Sequence, residues 1–156
     1  MSARQYQPGH RERTRNKRFS SLSSHISTKP LSVNRAYTGR KRKSVWLKDF
    51  VRRVHRELPD GEIPNSGNLA LKITFGVSTI ASDLDNNLKP IIDCLQEKYG
   101  FNDKQIFYIE AYKILVNKGD EFIDWQITKY GGEVDQRVKG RRKTVQDIPD
   151  DEEGEE

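Results

Sequence analysis

The chain has 156 residues, of which 33% are hydrophobic and 33% are charged, so it is long enough for one domain with a modest core. Its net charge of +5 is concentrated in residues 1–43, which are strongly basic, and a segment of this kind suits a polyanion such as nucleic acid. A single cysteine, Cys94, excludes a disulfide framework or a cysteine-based zinc ribbon. No apolar run is long enough to span a membrane, and residues 1–21 lack the apolar stretch of a signal peptide. We therefore expect a soluble cytoplasmic protein that binds nucleic acid.

Composition divides the chain into three parts. Residues 1–21 have almost no apolar periodicity and many basic side chains, which predicts a flexible basic arm. Residues 133–156 end in "DIPDDEEGEE", a block of like charges that predicts a flexible acidic tail. The domain is therefore expected to span residues 22–132.

The first half of this domain contains one strong helical pattern. Residues 22–28 alternate weakly and predict a first strand, whereas residues 29–44 contain Pro, Gly and many basic side chains and predict a basic loop. Residues 45–58 have apolar side chains at helical spacing, which predicts an amphipathic helix ended by Pro59.

The second half alternates strands with a helix. Residues 68–78 alternate apolar and smaller or polar side chains, which predicts a strand with one wet face. A helix is predicted through "PIIDCLQEKY", and residues 105–116 and 121–130 are predicted to form a hairpin joined by "NKGD". This order of elements is typical of an α+β domain.

An acidic stretch, "SDLDNNLKPIID" at residues 82–93, stands out in a basic chain. If the chain is still extended after the strand, Asp83 and Asp85 point to the same side and share a cation. Asp85, Lys89 and Asp93 then follow at i, i+4 and i+8 along one side of a helix. Carboxylate oxygens are ligands that Mg²⁺ accepts beside its waters. The alternative is that these aspartates only cap helices or are solvated charges on the helix surface.

This stretch, "SDLDNNLKPIIDCL", followed by "NDKQI", resembles the central signature of the RusA family of Holliday junction resolvases. "KPLSVNRAY" is similar to the Pro-rich entry segment of the family, although Asn102 stands where members often have a second acid. The resemblance covers roughly residues 22–130. It implies an α+β fold with a small mixed sheet and two main helices, in a subunit that forms a homodimer.

The resemblance also implies a function, which is Mg²⁺-dependent hydrolysis of DNA phosphodiesters in paired cuts that resolve Holliday junctions during recombination and repair. It assigns Asp83, Asp85 and Asp103 as the metal ligands and Lys89 as the essential lysine. Asp93 is the aspartate of the same helix, expected to lie behind the metal ligands or to pair with Lys89. The DNA contacts expected from the basic segment and from the resemblance are Arg35, Tyr37, Arg40, Lys41, Arg42, Lys43 and Lys113.

Three questions stay open in the sequence. The expected helix separates Asp85 from Asp103 by about 18 Å at 1.5 Å per residue, so Asp103 belongs either to the partner chain or to a loop that curls back in the same chain. A nuclease of this kind acts either on four-way junctions or on flaps and forks. A non-catalytic nucleic-acid-binding accessory protein would also explain the uneven charge.

Overall fold

A four-stranded mixed sheet organises residues 18–38 and 42–132, which are the part of the chain that the computed structural model describes. Its strands are β1 (Ser21–Ile26), β4 (Leu69–Val77), β5 (Ile106–Leu115) and β6 (Phe122–Lys129), in the order β1-β6-β4-β5. β4 is parallel to β5 and antiparallel to β6, which in turn is antiparallel to β1. The α+β class and the small mixed sheet are therefore confirmed.

Two main helices cover one face of this sheet. α2 (Val45–Glu57) and α3 (Leu88–Tyr99) bury apolar side chains in the same core as the odd-numbered residues of β4 and β6. Tyr99 of α3 lies with its ring centre 5.8 Å from that of Trp125 in β6, and Cys94 is buried in this core. On the other face of β4, Lys72 is exposed, as the period-2 pattern predicts for a sheet with one wet face.

The helix over residues 45–58 begins and ends close to where the sequence indicates. Ser44 caps α2, because its Oγ accepts a hydrogen bond from Leu47 N at 3.1 Å, which is the usual role of serine at this position. Pro59 follows the last turn, since proline is rarely accommodated within a helix. The strands predicted over residues 22–28 and 68–78 are confirmed as β1 and β4.

The loop predicted over residues 29–44 is only partly correct. It contains a four-residue helix, α1 (Val33–Ala36), and a short ribbon formed by β2 (Tyr37–Thr38) and β3 (Arg42–Lys43). These elements are too short to produce a recognisable period in the sequence. Residues 39–41 between the two strands, and the predicted arm and tail except for residues 18–21, lie outside the described residues.

The hairpin predicted for the last two strands is wrong. β5 and β6 are not paired with each other, because β4 lies between them and bonds to both. β4 is the most deeply buried strand, so its backbone groups on both edges need partners. Gly76 of β4 admits the ring of Phe122, since a Cβ there would lie 2.4 Å from Phe122 Cδ1.

No helix within residues 18–38 and 42–132 is long and apolar enough to cross a membrane.

Candidate functional site

The acidic loop, residues 78–87, joins β4 to α3 and carries Asp83 and Asp85. The extended geometry expected for these two residues is wrong, because β4 ends at Val77 and Asp85 begins a 3₁₀ turn (Asp85–Asn87). Both aspartates are exposed at the start of the helical segment. They therefore reach solvent from a turn instead of from the end of a strand.

Amide side chains hold the acidic loop in shape. Asn86 Nδ2 donates to Asp83 Oδ2 at 3.1 Å. Asn87 is only 2% exposed, and its Nδ2 donates to Ser82 Oγ at 3.0 Å. A buried amide that has a partner fixes the local backbone, because losing that partner would leave a polar group unsatisfied.

Lys113 fixes the same loop from β5. Its Nζ donates to the carbonyl oxygen of Ser82 at 2.6 Å and to that of Ile80 at 3.2 Å. The two carbonyls neighbour Asp83 in the chain, so the ammonium ties β5 to the backbone that carries this carboxylate. The DNA contact that the sequence predicts for Lys113 stays a prediction, and the structure adds this internal role.

α3 displays Lys89 and Asp93 as the i, i+4 spacing predicts. Lys89 Nζ lies 3.2 Å from Asp93 Oδ2, and Pro90 is the third residue of α3, in its first turn, where proline is tolerated. Asp93 is also bound by Tyr37, whose hydroxyl donates to Asp93 Oδ2 at 2.6 Å. Asp93 therefore links a half-buried tyrosine to an exposed lysine.

The environment of Tyr37 favours its protonated form. Burial, followed by the hydrogen bond and the charge of Asp93, raises the pKa of Tyr37 from 10.0 to about 12. A neutral hydroxyl is the state that donates to a carboxylate, so Tyr37 remains a donor to Asp93 throughout the neutral range. The DNA contact expected for Tyr37 stays a prediction, and its hydroxyl already bonds to Asp93 inside the protein.

Asp103 lies at the far end of the molecule from the acidic loop. It begins a 3₁₀ turn (Asp103–Gln105) that leads into β5, and its backbone N–H donates to Gln96 Oε1 of α3 at 3.2 Å. The side chain of Gln105 donates to the carbonyls of Pro64 and Gly67, which precede β4. The loop before β5 is thus fastened to the last turns of α3 and does not curl back towards Asp85.

Strand register gives the scale of this separation. Leu69 pairs with Ile106, and Val77 pairs with Leu115. Eight steps along β4 at about 3.3 Å each make about 26 Å. Asp103 precedes the first of these pairs and Asp83 follows the last. Within the part of the chain that the structure describes, no three histidine, cysteine or acidic side chains form a group that could hold a metal ion.

The donor set nevertheless suits Mg²⁺ at the acidic loop. Asp83 and Asp85 offer hard carboxylate oxygens, and both are exposed. Mg²⁺ is usually held by one or two carboxylates together with waters and substrate phosphate oxygens. The pair can therefore begin a site that a third carboxylate and the substrate complete.

The basic residues predicted to contact DNA are partly described. Arg35 lies in α1 and is exposed, and Arg42 and Lys43 lie in β3. Arg40 and Lys41 lie outside the described residues. The β2–β3 ribbon lies between α1 and α2 in the chain, so Arg42 and Lys43 directly precede α2.

Sequence reasoning missed two contacts of the site. The bond between Tyr37 and Asp93 joins residues 56 positions apart, and that between Lys113 and Ser82 joins residues 31 positions apart. No local pattern reports such pairings. Tyr37 beside the basic residues and Lys113 in β5 gave the only signals in the sequence, and both predicted a DNA contact.

Comparison with known proteins neither supports nor opposes the resemblance: no family model matches the chain, and no curated protein matches it.

Proposed function

We propose that the chain is a Mg²⁺-dependent, structure-specific endonuclease of the RusA type, which resolves Holliday junctions as a homodimer during DNA recombination and repair. One observation carries the proposal. β5 begins directly after the 3₁₀ turn that Asp103 starts, and it ends beside the acidic loop, where Lys113 bonds to the carbonyls of Ile80 and Ser82. The strand therefore runs between the two groups of candidate metal ligands, which a single chain keeps apart.

The free edge of β5 supports pairing with a second copy. β5 has ten residues and lies at the edge of the sheet, where unpaired backbone groups invite another strand. Six of its large side chains are exposed to 44–67%: Phe107, Tyr108, Ile109, Tyr112, Ile114 and Leu115. An apolar edge of this length favours burial against an identical edge about a two-fold axis.

Two-fold pairing of β5 would complete the metal site. Antiparallel strands related by a two-fold axis bring the start of one strand to the end of the other. The partner subunit's Asp103 would then approach the acidic loop with Asp83 and Asp85, and the reciprocal site would form at the other end. The fastening of Asp103 to α3 in its own chain supports this arrangement over a loop that curls back.

Each residue has a definite task in the proposed reaction. Asp83, Asp85 and the partner subunit's Asp103 would hold Mg²⁺, and the ion would polarise the phosphate and activate water. Lys89, in the first turn of α3, would face the charge that develops on the phosphate oxygens. Asp93 orients Lys89, and Tyr37 orients Asp93. Two such sites suit the two equivalent strands of a symmetric four-way junction.

Cleavage assays test the function directly. Full-length protein is incubated with a four-way junction, a flap and a duplex, each with Mg²⁺ and with EDTA. We expect paired cuts in the junction with Mg²⁺ alone and no cutting by Asp83→Asn, whereas Asp120→Asn, which changes an exposed aspartate in the turn before β6, should cut normally. Junction binding without any cleavage would favour the accessory protein, and preferred cutting of the flap would change the substrate.

Mixing two inactive proteins tests the shared site. Asp83→Asn and Asp103→Asn subunits are combined and allowed to exchange, so that about half of the dimers are mixed. If Asp103 acts in the partner chain, each mixed dimer holds one intact site, and the mixture should nick one strand of the junction. If Asp103 acts in its own chain, no intact site forms and the mixture stays inactive.

A further inference from the structure

A cleft next to Asp83 is lined by aromatic, basic and amide side chains that have no role in the proposed cleavage reaction. Its volume is about 450 Å³, which lies within the usual range of small-ligand sites. Three segments enclose it: residues 28–35, residues 46–53 of α2 and the acidic loop. Asp83 belongs to its wall, so the cleft opens onto the candidate metal site.

We propose that this cleft binds one unstacked nucleotide of the DNA strand that is cut, with the base on Trp46 and the adjacent phosphate on Arg35 and Arg53. The proposal rests on the proposed function, because it concerns the strand whose phosphate reaches Asp83. It assigns the ligand class, a deoxynucleotide within a strand, and the residues that recognise it.

The aromatic wall of the cleft supports recognition of a base. Trp46 lies in the first turn of α2 and is 64% exposed, whereas Trp125, the other tryptophan of the chain, is 2% exposed. A large indole surface in water is a stacking platform for an unpaired base of any sequence. A branch point supplies such bases, because stacking is interrupted where the strands exchange.

The charges of the cleft support recognition of a phosphate. Arg35 makes no ion pair with any of the residues that the structure describes. Arg53 pairs with Asp49 through Nε, which lies 2.9 Å from Oδ2, and the terminal N–H groups of its guanidinium have no ion-pair partner among the described residues. Guanidinium groups suit phosphate oxygens because their N–H groups form a planar fork.

Polar groups between these two walls fit the rest of a nucleotide. Asn34 and Ser32 line the cleft from the α1 side, and Asn86 lines it from the acidic loop. Asn86 also holds Asp83. A nucleotide bound here would therefore contact the residue that orients a metal-binding carboxylate, which connects strand binding with metal binding.

Tryptophan fluorescence measures binding in this cleft without any cleavage. Full-length protein in EDTA is titrated with a 5′-phosphorylated DNA trinucleotide, with dTMP and with inorganic phosphate. We expect the trinucleotide to quench the emission and to bind more tightly than dTMP or phosphate. Trp46→Phe should remove most of the quenching, because the remaining tryptophan is buried.

Matched variants separate the cleft from general attraction to DNA. Trp46→Ala should weaken trinucleotide binding about tenfold, whereas Val45→Ala, at the neighbouring position that is 80% exposed and outside the cleft, should not. Arg35→Gln should weaken binding more than Arg56→Gln, which removes the same charge from another part of the surface. Unfolding curves of all four variants establish that each remains folded.

The outcomes distinguish this inference from the proposed function. If the trinucleotide does not quench the emission of the unchanged protein, and if Trp46→Ala binds the trinucleotide with unchanged affinity, the cleft assignment is overturned. This holds even if the protein cuts junctions. Equal binding of dTMP and the trinucleotide would overturn recognition of a DNA strand. Quenching that depends on Trp46 in a protein that cuts no branched DNA would support the cleft and overturn the nuclease.

Discussion

Replacing Tyr37 by phenylalanine removes one hydroxyl and tests whether Asp93 must be fixed for Lys89 to act. Asp93 receives a hydrogen bond of 2.6 Å from Tyr37 and the ammonium of Lys89 at 3.2 Å. In Tyr37→Phe only Lys89 and water remain as its partners. The ring and its packing against the core are retained, so the change isolates the hydrogen bond.

The size of the effect follows from the exposure of Asp93. A hydrogen bond to a charged group contributes about 1.5–3 kcal/mol, and the side chain of Asp93 is 33% exposed, so water replaces part of the loss. We expect a decrease of about 1.5 kcal/mol in the free energy of unfolding. For a domain of this size that corresponds to a Tm lower by about 6 °C.

The pH dependence of stability gives a second measurement. The pKa of Tyr37 is raised from 10.0 to about 12 in the folded protein, so the unfolded chain loses this proton first as the pH rises. The contribution of Tyr37 to stability is thus complete below pH 10 and is lost between pH 10 and about 12. Tyr37→Phe should lose less stability over this interval than the unchanged protein.

Cleavage kinetics decide whether the bond matters for function. We expect Tyr37→Phe to cut junctions about tenfold more slowly, a change of about 1.4 kcal/mol in the barrier, with junction affinity in EDTA unchanged. Tyr99→Phe is the control, because burial also raises the pKa of Tyr99 to about 12 while its hydroxyl donates to the carbonyl of Pro59. A Tyr37→Phe protein that is less stable yet cuts at the normal rate would refute the positioning role.

Three further changes test the edge strand, the acidic loop and the basic arm. If the chain forms the proposed dimer through β5, Leu115→Lys should be a monomer in sedimentation, because it adds charge to the edge of β5, whereas Val45→Lys at another exposed site should remain a dimer. A dimeric Leu115→Lys protein would contradict pairing through β5. Lys113→Met should raise the Mg²⁺ concentration for half-maximal cleavage several-fold, while Lys72→Met, on the other face of β4, should leave it unchanged. Weaker junction binding by Lys113→Met in EDTA would instead indicate a DNA contact. Deleting residues 1–17 should flatten the dependence of log affinity on log salt by about 0.9 for each phosphate that the arm neutralises, and an unchanged slope would exclude the arm from binding.

Local patterns in the sequence identified the elements better than their pairing. The helical period over residues 45–58 predicts α2 because a single face must be apolar over three turns. The predicted hairpin was wrong because strand pairing depends on how the whole sheet is buried. Neither the β5 nor the β6 sequence by itself indicates that β4 lies between the two strands. α1 was missed since four residues such as Val33–Ala36 cannot display a period.

The candidate site divides in the same way. Lys89 and Asp93 were predicted as neighbours because i, i+4 spacing on a helix fixes their distance. The conformation at Asp83 was not, since it depends on where β4 stops pairing and on Lys113, 30 residues later in the chain. Spacing within one element can be read from the sequence, whereas contacts between elements require the fold.

The position of β6 inside the sheet affects how the protein is made. β1 pairs only with β6 within the described residues, so residues near position 24 meet partners near position 125. The sheet cannot be completed until Lys129 has left the ribosome, and until then β1 and one edge of β4 have no partner strand. Pairing over such long sequence separations is slow. A nascent chain stalled before Phe122 would therefore expose aggregation-prone edges and depend on chaperones.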